Sequence, residues 1–250
     1  MQTYGFVGTG ELTAAIVEGL RDEAPRIFLS PRNHDIAHDL AGRFPNVRVC
    51  RDNQEVLDSA GTVVLAVRPQ VFRDVLGELT FRPEHVVISA VAAVGLDELR
   101  RFVAPAERVV RSIPLPTASR RAGRTAMFPD DVVARSLFES VGDVVVPADE
   151  ATLATFSAAT ATFAAHLDQL ATIAGWMAEH GVASEDADSY VAHVFGELGR
   201  TLARHDGTLG ELARKHETPG GINEQFRTAV RDPERVRRAL DDVLARVSGQ

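Results

Sequence analysis

Cysteine is nearly missing from this chain. Cys50 is the only one in 250 residues, which excludes an internal disulfide and any thiolate metal cluster built within one chain. Lysine is as scarce, with Lys215 alone. No apolar run reaches the length needed to span a membrane. The first residues carry neither a basic segment nor a cleavable apolar one, so the cytoplasm is the expected address. A net charge of −8 leaves no broad basic surface for a nucleic-acid backbone. These absences leave a protein of small molecules, long enough for one large domain or two smaller ones, each with a sizeable core.

The first 150 residues alternate β-rich runs with amphipathic stretches. The candidate strands are 3–7, 26–29, 47–50, 62–67, 85–90, 108–112, 124–128 and 143–146. Between the first two, Leu12, Ile16, Val17 and Leu20 recur at helical spacing. Such alternation implies βαβ units and a parallel sheet. After Pro147 the chain becomes Ala-rich and helical to its end, with turn signals only near Gly181, Gly207 to Gly210 and a Pro-Gly-Gly at 219–221. The expected organisation is an α/β domain over 1–149, of Rossmann type with a parallel sheet, followed by an all-helical domain over 150–250.

The first unit opens with Gly5-Phe6-Val7-Gly8-Thr9-Gly10-Glu11-Leu12-Thr13. A strand precedes it and a helix follows. Gly8 can therefore make the tight turn, Gly10 can admit a pyrophosphate to the helix N-terminus, and Thr13 takes the third fingerprint position. Thr9, Glu11 and Leu12 complete the candidate cofactor loop. Where an NAD-preferring domain carries a carboxylate, at the end of the second strand, this chain has Ser30-Pro31-Arg32-Asn33. Ser30, Arg32 and Asn33 can donate hydrogen bonds to a 2′-phosphate, so NADP is the expected cofactor, with NADPH favoured over NADH. Ala66-Val67-Arg68-Pro69 follows the fourth strand, at the sheet edge where cofactors lie, and Pro69 starts the next helix. Ser89 and Ser112 end strands near the same edge without a His-Asp partnership, which argues against a hydrolase triad. His166 and Asp168, two apart on a helix, do not share a face, and no metal-binding spacing is present.

The Pro-Gly-Gly turn interrupts a helical region and has two readings. It is a plain helix–helix corner, or a helix start whose free N–H groups bind an anion.

The chain resembles the pyrroline-5-carboxylate reductases through five ordered segments: Gly8-Thr9-Gly10, Ala-Val-Arg-Pro-Gln at 66–70, Ile-Ser-Ala-Val-Ala-Ala at 88–93, Val-Arg-Ser-Ile-Pro at 110–114 and Thr-Pro-Gly-Gly at 218–221. The resemblance implies a Rossmann domain, a helical domain forming an interlocked homodimer, and reduction of a cyclic imine by NAD(P)H. It also implies that the turn, with Thr218, Gly220, Gly221, Ile222 and Asn223, holds a small substrate by its carboxylate. Thr218 and Asn223 are then the candidate catalytic residues. No metal is expected.

Three departures separate the chain from that family's usual pocket. Ile113-Pro114-Leu115-Pro116-Thr117 stands where the family has Met-Pro-Asn-Thr-Pro, Asn223 stands where it has a Thr placed at the imine nitrogen, and an Ala-Thr-rich stretch around Phe156 to Phe163 replaces its Ser-Gly-Ser-Gly-Pro-Ala. An Asn amide donates a hydrogen bond but is a poor proton source. A non-catalytic NADP-binding protein is one alternative. A β-hydroxyacid dehydrogenase is another; those enzymes use a Lys on the long interdomain helix, whereas Lys215 lies outside it. Apolar Leu153, Phe156, Phe163, Leu167, Leu170, Ile173, Trp176 and Met177 are expected along one long helix, more than a thin helical layer buries alone, which predicts an obligate homodimer through this region.

Overall fold

The computed structural model describes residues 2–20 and 25–248. Eight strands, β1 (Thr3–Val7), β2 (Arg26–Leu29), β3 (Val47–Val49), β4 (Thr62–Leu65), β5 (Val86–Ser89), β6 (Arg108–Ile113), β7 (Gly123–Phe128) and β8 (Gly142–Val145), form one sheet in the order β3-β2-β1-β4-β5-β6-β7-β8. The chain steps outward from β1 to β3, then crosses to β4, which pairs with β1 through Val7 opposite Leu65. That reversal opens a crevice at the C-terminal ends of β1 and β4, the position where doubly wound sheets bind ligands.

Both faces of the strands are apolar because both are covered. Tyr4, Phe6, Ile27, Leu29, Val64 and Ile88 pack on one face, under α1 (Glu11–Gly19), α2 (His34–Arg43) and, further along the chain, α6 (Val132–Glu139). Their neighbours Val7, Phe28, Val63, Leu65 and Val87 point the other way, toward α3 (Asn53–Ser59), α4 (Phe72–Gly77) and α5 (Leu96–Val103). All pairs are parallel except β6 with β7, a departure from the parallel sheet expected from the sequence. The cause is the connection. Only a short segment with a 3₁₀ turn at Pro116–Arg120 joins β6 to β7, whereas a parallel return needs a crossover of roughly a dozen residues or more.

The helical part begins with α7 (Glu150–Thr160), followed by α8 (Thr162–Glu179), α9 (Ser184–Ala203), α10 (Leu209–Lys215), α11 (Ile222–Val230) and α12 (Pro233–Val247). The single long helix expected through Leu153 and Met177 is two helices, interrupted at Ala161. Thr160 and Thr162 flank the break, and threonine is a weak helix former that competes for nearby backbone groups. By internal contacts, Met1–Ala159 and Asp242–Gln250 form one compact unit and Thr160–Asp241 a second. The boundary at 149 read from composition thus lies one helix before this division.

The second unit has little interior of its own. Ala174, Ala187 and Val191 are buried between α8 and α9, whereas Leu167, Trp176, Tyr190, Leu209, Ile222 and Phe226 are all more than half exposed. No helix among the described residues is long and apolar enough to cross a membrane.

Candidate functional site

A cavity of about 850 Å³ opens at the crevice, lined by Gly8, Thr9 and Gly10 on one side, Arg32 to Asp35 beneath α2, and Ala66, Val67, Arg68, Gln70 and Val71 after β4. The two glycines of the loop are bare for different reasons. Gly8 has φ +103°, and a Cβ there would lie 2.6 Å from the backbone of Ala66, so the turn itself demands glycine. Gly10, the N-cap of α1, has an ordinary φ of −115° and open space where a Cβ would go. Nothing in the described chain fills that space, and the free N–H groups of the first turn of α1 border it.

Hydroxyl groups hold this loop from behind. The Gly8 N–H donates to Ser30 Oγ at 2.9 Å, Thr9 Oγ1 donates to the Ser30 carbonyl at 2.8 Å, and Thr13 Oγ1 donates to the Gly8 carbonyl at 2.6 Å. With its one proton spent on that carbonyl, Thr9 Oγ1 accepts the proton of Ser30 Oγ at 3.0 Å. Ser30 is only 1% exposed. It is brought to the loop as a brace and does not line the cavity.

Arg32, Asn33 and Arg68 do line it. Arg32 and Arg68 are both exposed and form no ion pair or side-chain hydrogen bond with the described chain. Glu11 is exposed in the first turn of α1, Leu12 is half-buried against the core, and Pro69 opens a 3₁₀ turn at Pro69–Val71; none of the three lines the cavity. Gln70, the last residue of the 66–70 segment, lines it too, and His34, Asp35 and Val71 do so without having been singled out from the sequence. The usable signal was the helix start, because residues 34 and 35 follow directly on Asn33, the N-cap of α2. An NADP molecule fits this set: the open side of Gly10 and the α1 N-terminus suit a pyrophosphate, and two guanidiniums with no partner among the described residues suit a further phosphate.

The Pro-Gly-Gly turn lies in the second unit, between α10 and α11. Gly220 has φ +73°, and a Cβ on Gly221 would meet the Thr218 carbonyl at 2.9 Å, so the turn needs both glycines for its own geometry. The Gly221 N–H donates to that carbonyl at 2.8 Å. The Gly220 N–H donates to Glu224 Oε2 at 2.7 Å, and the Asn223 amide donates to the His216 carbonyl at 2.7 Å. The hydroxyl of Thr218 is exposed and makes no hydrogen bond with the described chain, and Ile222 is 82% exposed. A second cavity, of about 520 Å³, lies along Ile222, Asn223, Gln225, Phe226, Arg227 and Ala229.

Other reactive groups are engaged or inert. Ser112 Oγ donates to the Ser89 carbonyl at 3.1 Å, and Ser89 Oγ accepts from the Val91 N–H at 3.2 Å. Burial pushes the Cys50 thiol up to about 11. Among the described residues no group of His, Cys, Asp and Glu could hold a metal ion.

Sheet order, glycine loop and cavity together define a Rossmann-type dinucleotide-binding protein. Residues 3–93 match the family described as NADP oxidoreductase, coenzyme F420-dependent. The pyrroline-5-carboxylate reductase of Synechocystis is 32% identical over 152 residues, 56% of this chain and 57% of that protein. Pyrroline-5-carboxylate reductase 2 of Bacillus subtilis is 22% identical over 259 residues, 93% and 88% of the two chains. Against the first of these curated relatives the chain spans only about half of their length. Among solved structures, the 1-pyrroline-5-carboxylate reductase of Streptococcus pyogenes superposes with a TM-score of 0.82 at 22% identity, covering 99% of this chain and 98% of that one. The pyrroline carboxylate reductase of Plasmodium falciparum, with NADP bound, gives 0.77 at 15% identity over 100% and 97%. The chain is thus similar to pyrroline-5-carboxylate reductases, in sequence mainly over its first part and in fold over nearly its whole length, in line with the resemblance of its five sequence segments.

Proposed function

We propose that this protein uses NADPH to reduce the C=N bond of a cyclic imine. The observation that carries the cofactor half is the open side of Gly10 at the start of α1, in a cavity whose guanidiniums, Arg32 and Arg68, lack partners in the described chain. Gly8, Thr9 and Gly10, with the backbone N–H groups of Glu11 and Leu12 in the first turn of α1, would hold the pyrophosphate, Arg32 and Asn33 the 2′-phosphate, and Ala66, Val67 and Arg68 the opposite wall, with Ser30 fixing the loop and Pro69 starting the turn behind that wall. When bound, NADPH supplies a hydride; the protein supplies position and electrostatics. The imine half rests on similarity to proteins named for reducing pyrroline-5-carboxylate and on the Thr218-Pro219-Gly220-Gly221 turn. In this reading Thr218, Gly220, Gly221, Ile222 and Asn223 form the substrate subsite. The resemblance offers a carboxylate-bearing imine as the substrate, and a carboxylate-free imine uses the same chemistry.

The exposed apolar side chains of the second unit support a homodimer through that unit, since a helix apolar on more than one face is usually covered on more than one face. A stable folded monomer at micromolar concentration in sedimentation would count against it. For the activity, NADPH oxidation is followed with five- and six-membered cyclic imines and 2-keto acids, and NADP⁺ reduction with 3-hydroxy acids. Turnover of imines alone is the expected result. Turnover of a hydroxy acid instead would assign a dehydrogenase, and silence across all substrates with tight NADPH binding would leave a non-catalytic binder.

A further inference from the structure

Among the residues that line the large cavity, only His34 carries an aromatic ring. It is the first residue of α2, directly after Arg32 and Asn33. One turn further on, where the (i, i+4) spacing of a helix makes two side chains neighbours, the His38 ring lies against it, with centroids 3.9 Å apart and planes inclined by 27°. The Asp35 carboxylate stands 3.8 Å from His34 Nδ1. The imidazole is therefore covered on one face and drawn at one edge, while its side chain stays 76% exposed beside an open cavity. Neither histidine is buried, so the pair serves no core.

The chemistry of the dinucleotide decides what reaches this rim. The 2′-phosphate sits on the adenosine ribose, and adenine is attached to the neighbouring carbon of the same sugar. A cavity that binds that phosphate at Arg32 and Asn33 brings the base to the residues beside them. On the reading that this cavity takes NADPH, we propose that the adenine ring stacks on His34, and that His38 is a positioning residue that holds the imidazole from behind. Bases stack on aromatic side chains whatever their sequence context, because every base has a π-face. The opposite wall offers Val67, Arg68 and Val71 to the other face of the base, and a guanidinium stacks on flat rings as well. Adenine is common to NADPH and NADH. His34 thus sets how tightly either cofactor is held, and Arg32 sets which one is preferred.

NADPH and NADH are titrated by calorimetry into the whole chain and its variants, without substrate. Binding by the parent tests the cofactor reading by itself; the variants test His34. His34→Ala should weaken both cofactors by the same factor, at least about 5-fold, the lower end of the range for loss of one base-stacking contact. His34→Phe, which keeps a ring and carries no charge, should bind both within about 2-fold of the parent. His38→Ala should weaken both by a smaller factor, and should add nothing once His34 is alanine, since its effect passes through that ring. A His34→Ala protein that binds both cofactors as tightly as the parent would overturn the proposal. So would a loss confined to NADPH, which would place the ring on the 2′-phosphate, or a His34→Phe protein as weak as His34→Ala. A parent that binds neither cofactor would remove the cofactor reading and this proposal together.

Discussion

Gly8 and Gly10 stand two residues apart in one loop, yet replacing each by alanine should have opposite consequences. In Gly8→Ala the new methyl would lie 2.6 Å from the Ala66 carbonyl group at a backbone φ of +103°. The unfavourable backbone costs about 1–3 kcal/mol, and forcing a methyl into packed backbone about 1–3 kcal/mol more. The sum, about 2–6 kcal/mol, is a large share of the stability of an ordinary domain. Gly10→Ala meets nothing within 4 Å and keeps an ordinary φ; its cost is that of a poorer N-cap, about 1 kcal/mol or less. Its methyl would stand where a pyrophosphate approaches the α1 N-terminus. Loss of one charge-assisted hydrogen bond, about 1.5–3 kcal/mol, weakens NADPH by roughly 10- to 150-fold. Urea midpoints measure the first effect and calorimetric titration of NADPH the second. A Gly8→Ala protein with the parent midpoint would show that the turn relaxes freely. A Gly10→Ala protein that binds NADPH as tightly as the parent would remove the pyrophosphate from this loop.

Three further outcomes follow from particular contacts. NADPH should bind at least ~10-fold more tightly than NADH, about 1.4 kcal/mol, and Arg32→Ala should erase most of that gap; equal dissociation constants in the parent protein would refute it. Arg111, 8% exposed, pairs at 2.7 Å with Glu150, which also accepts the Leu96 N–H at the start of α5. Glu150→Gln should therefore cost about 2–3 kcal/mol in urea unfolding, below the full penalty of a broken buried pair because Glu150 is 34% exposed, and adding Arg111→Met should restore most of it. His85 is buried, accepts the Arg82 N–H at Nδ1 and so donates from Nε2 to the Leu57 carbonyl, and burial lowers its pKa from the ordinary 6.5. The unfolded chain thus takes up a proton before the folded one. Its contribution is complete above about pH 6.5 and falls toward the lower folded value, by up to about 1.4 kcal/mol per pH unit; urea midpoints of the parent and of His85→Asn across this range measure it, and parallel curves would refute it.

All eight strands were legible because β-branched runs such as Thr62-Val63-Val64 or Val86-Val87-Ile88 stand between turn residues and have both faces to bury. Their ends were less so. The fourth strand stops at Leu65, since Ala66 and Val67 leave the sheet to line the cavity. The direction of β7 was missed because its sequence is that of any strand; the shortness of the link from β6 sets it. At the site, Gly8, Gly10, Arg32 and Asn33 were legible as a pattern, but a sequence gives hydrogen-bonding capacity and not direction. Ser30 could donate to a phosphate and turns inward instead. Glu224 could be assigned to the helix dipole, yet nothing in the sequence said that Gly220 is what it holds.

The inward turn of Ser30 constrains how cofactor choice can be altered. A carboxylate at the end of β2 is the usual way to favour NAD, and position 30 is where it would first be tried. Here that position is sealed behind the loop and supplies both an acceptor to Gly8 and a proton to Thr9. An aspartate would bring a buried charge and no proton, loosening the glycine turn along with the specificity. The exposed stretch from Arg32 to Asp35 borders the same cavity without that duty. Cofactor preference is open to redesign, and to drift, from Arg32 to the start of α2, while Ser30, the first residue after β2, is held by the architecture.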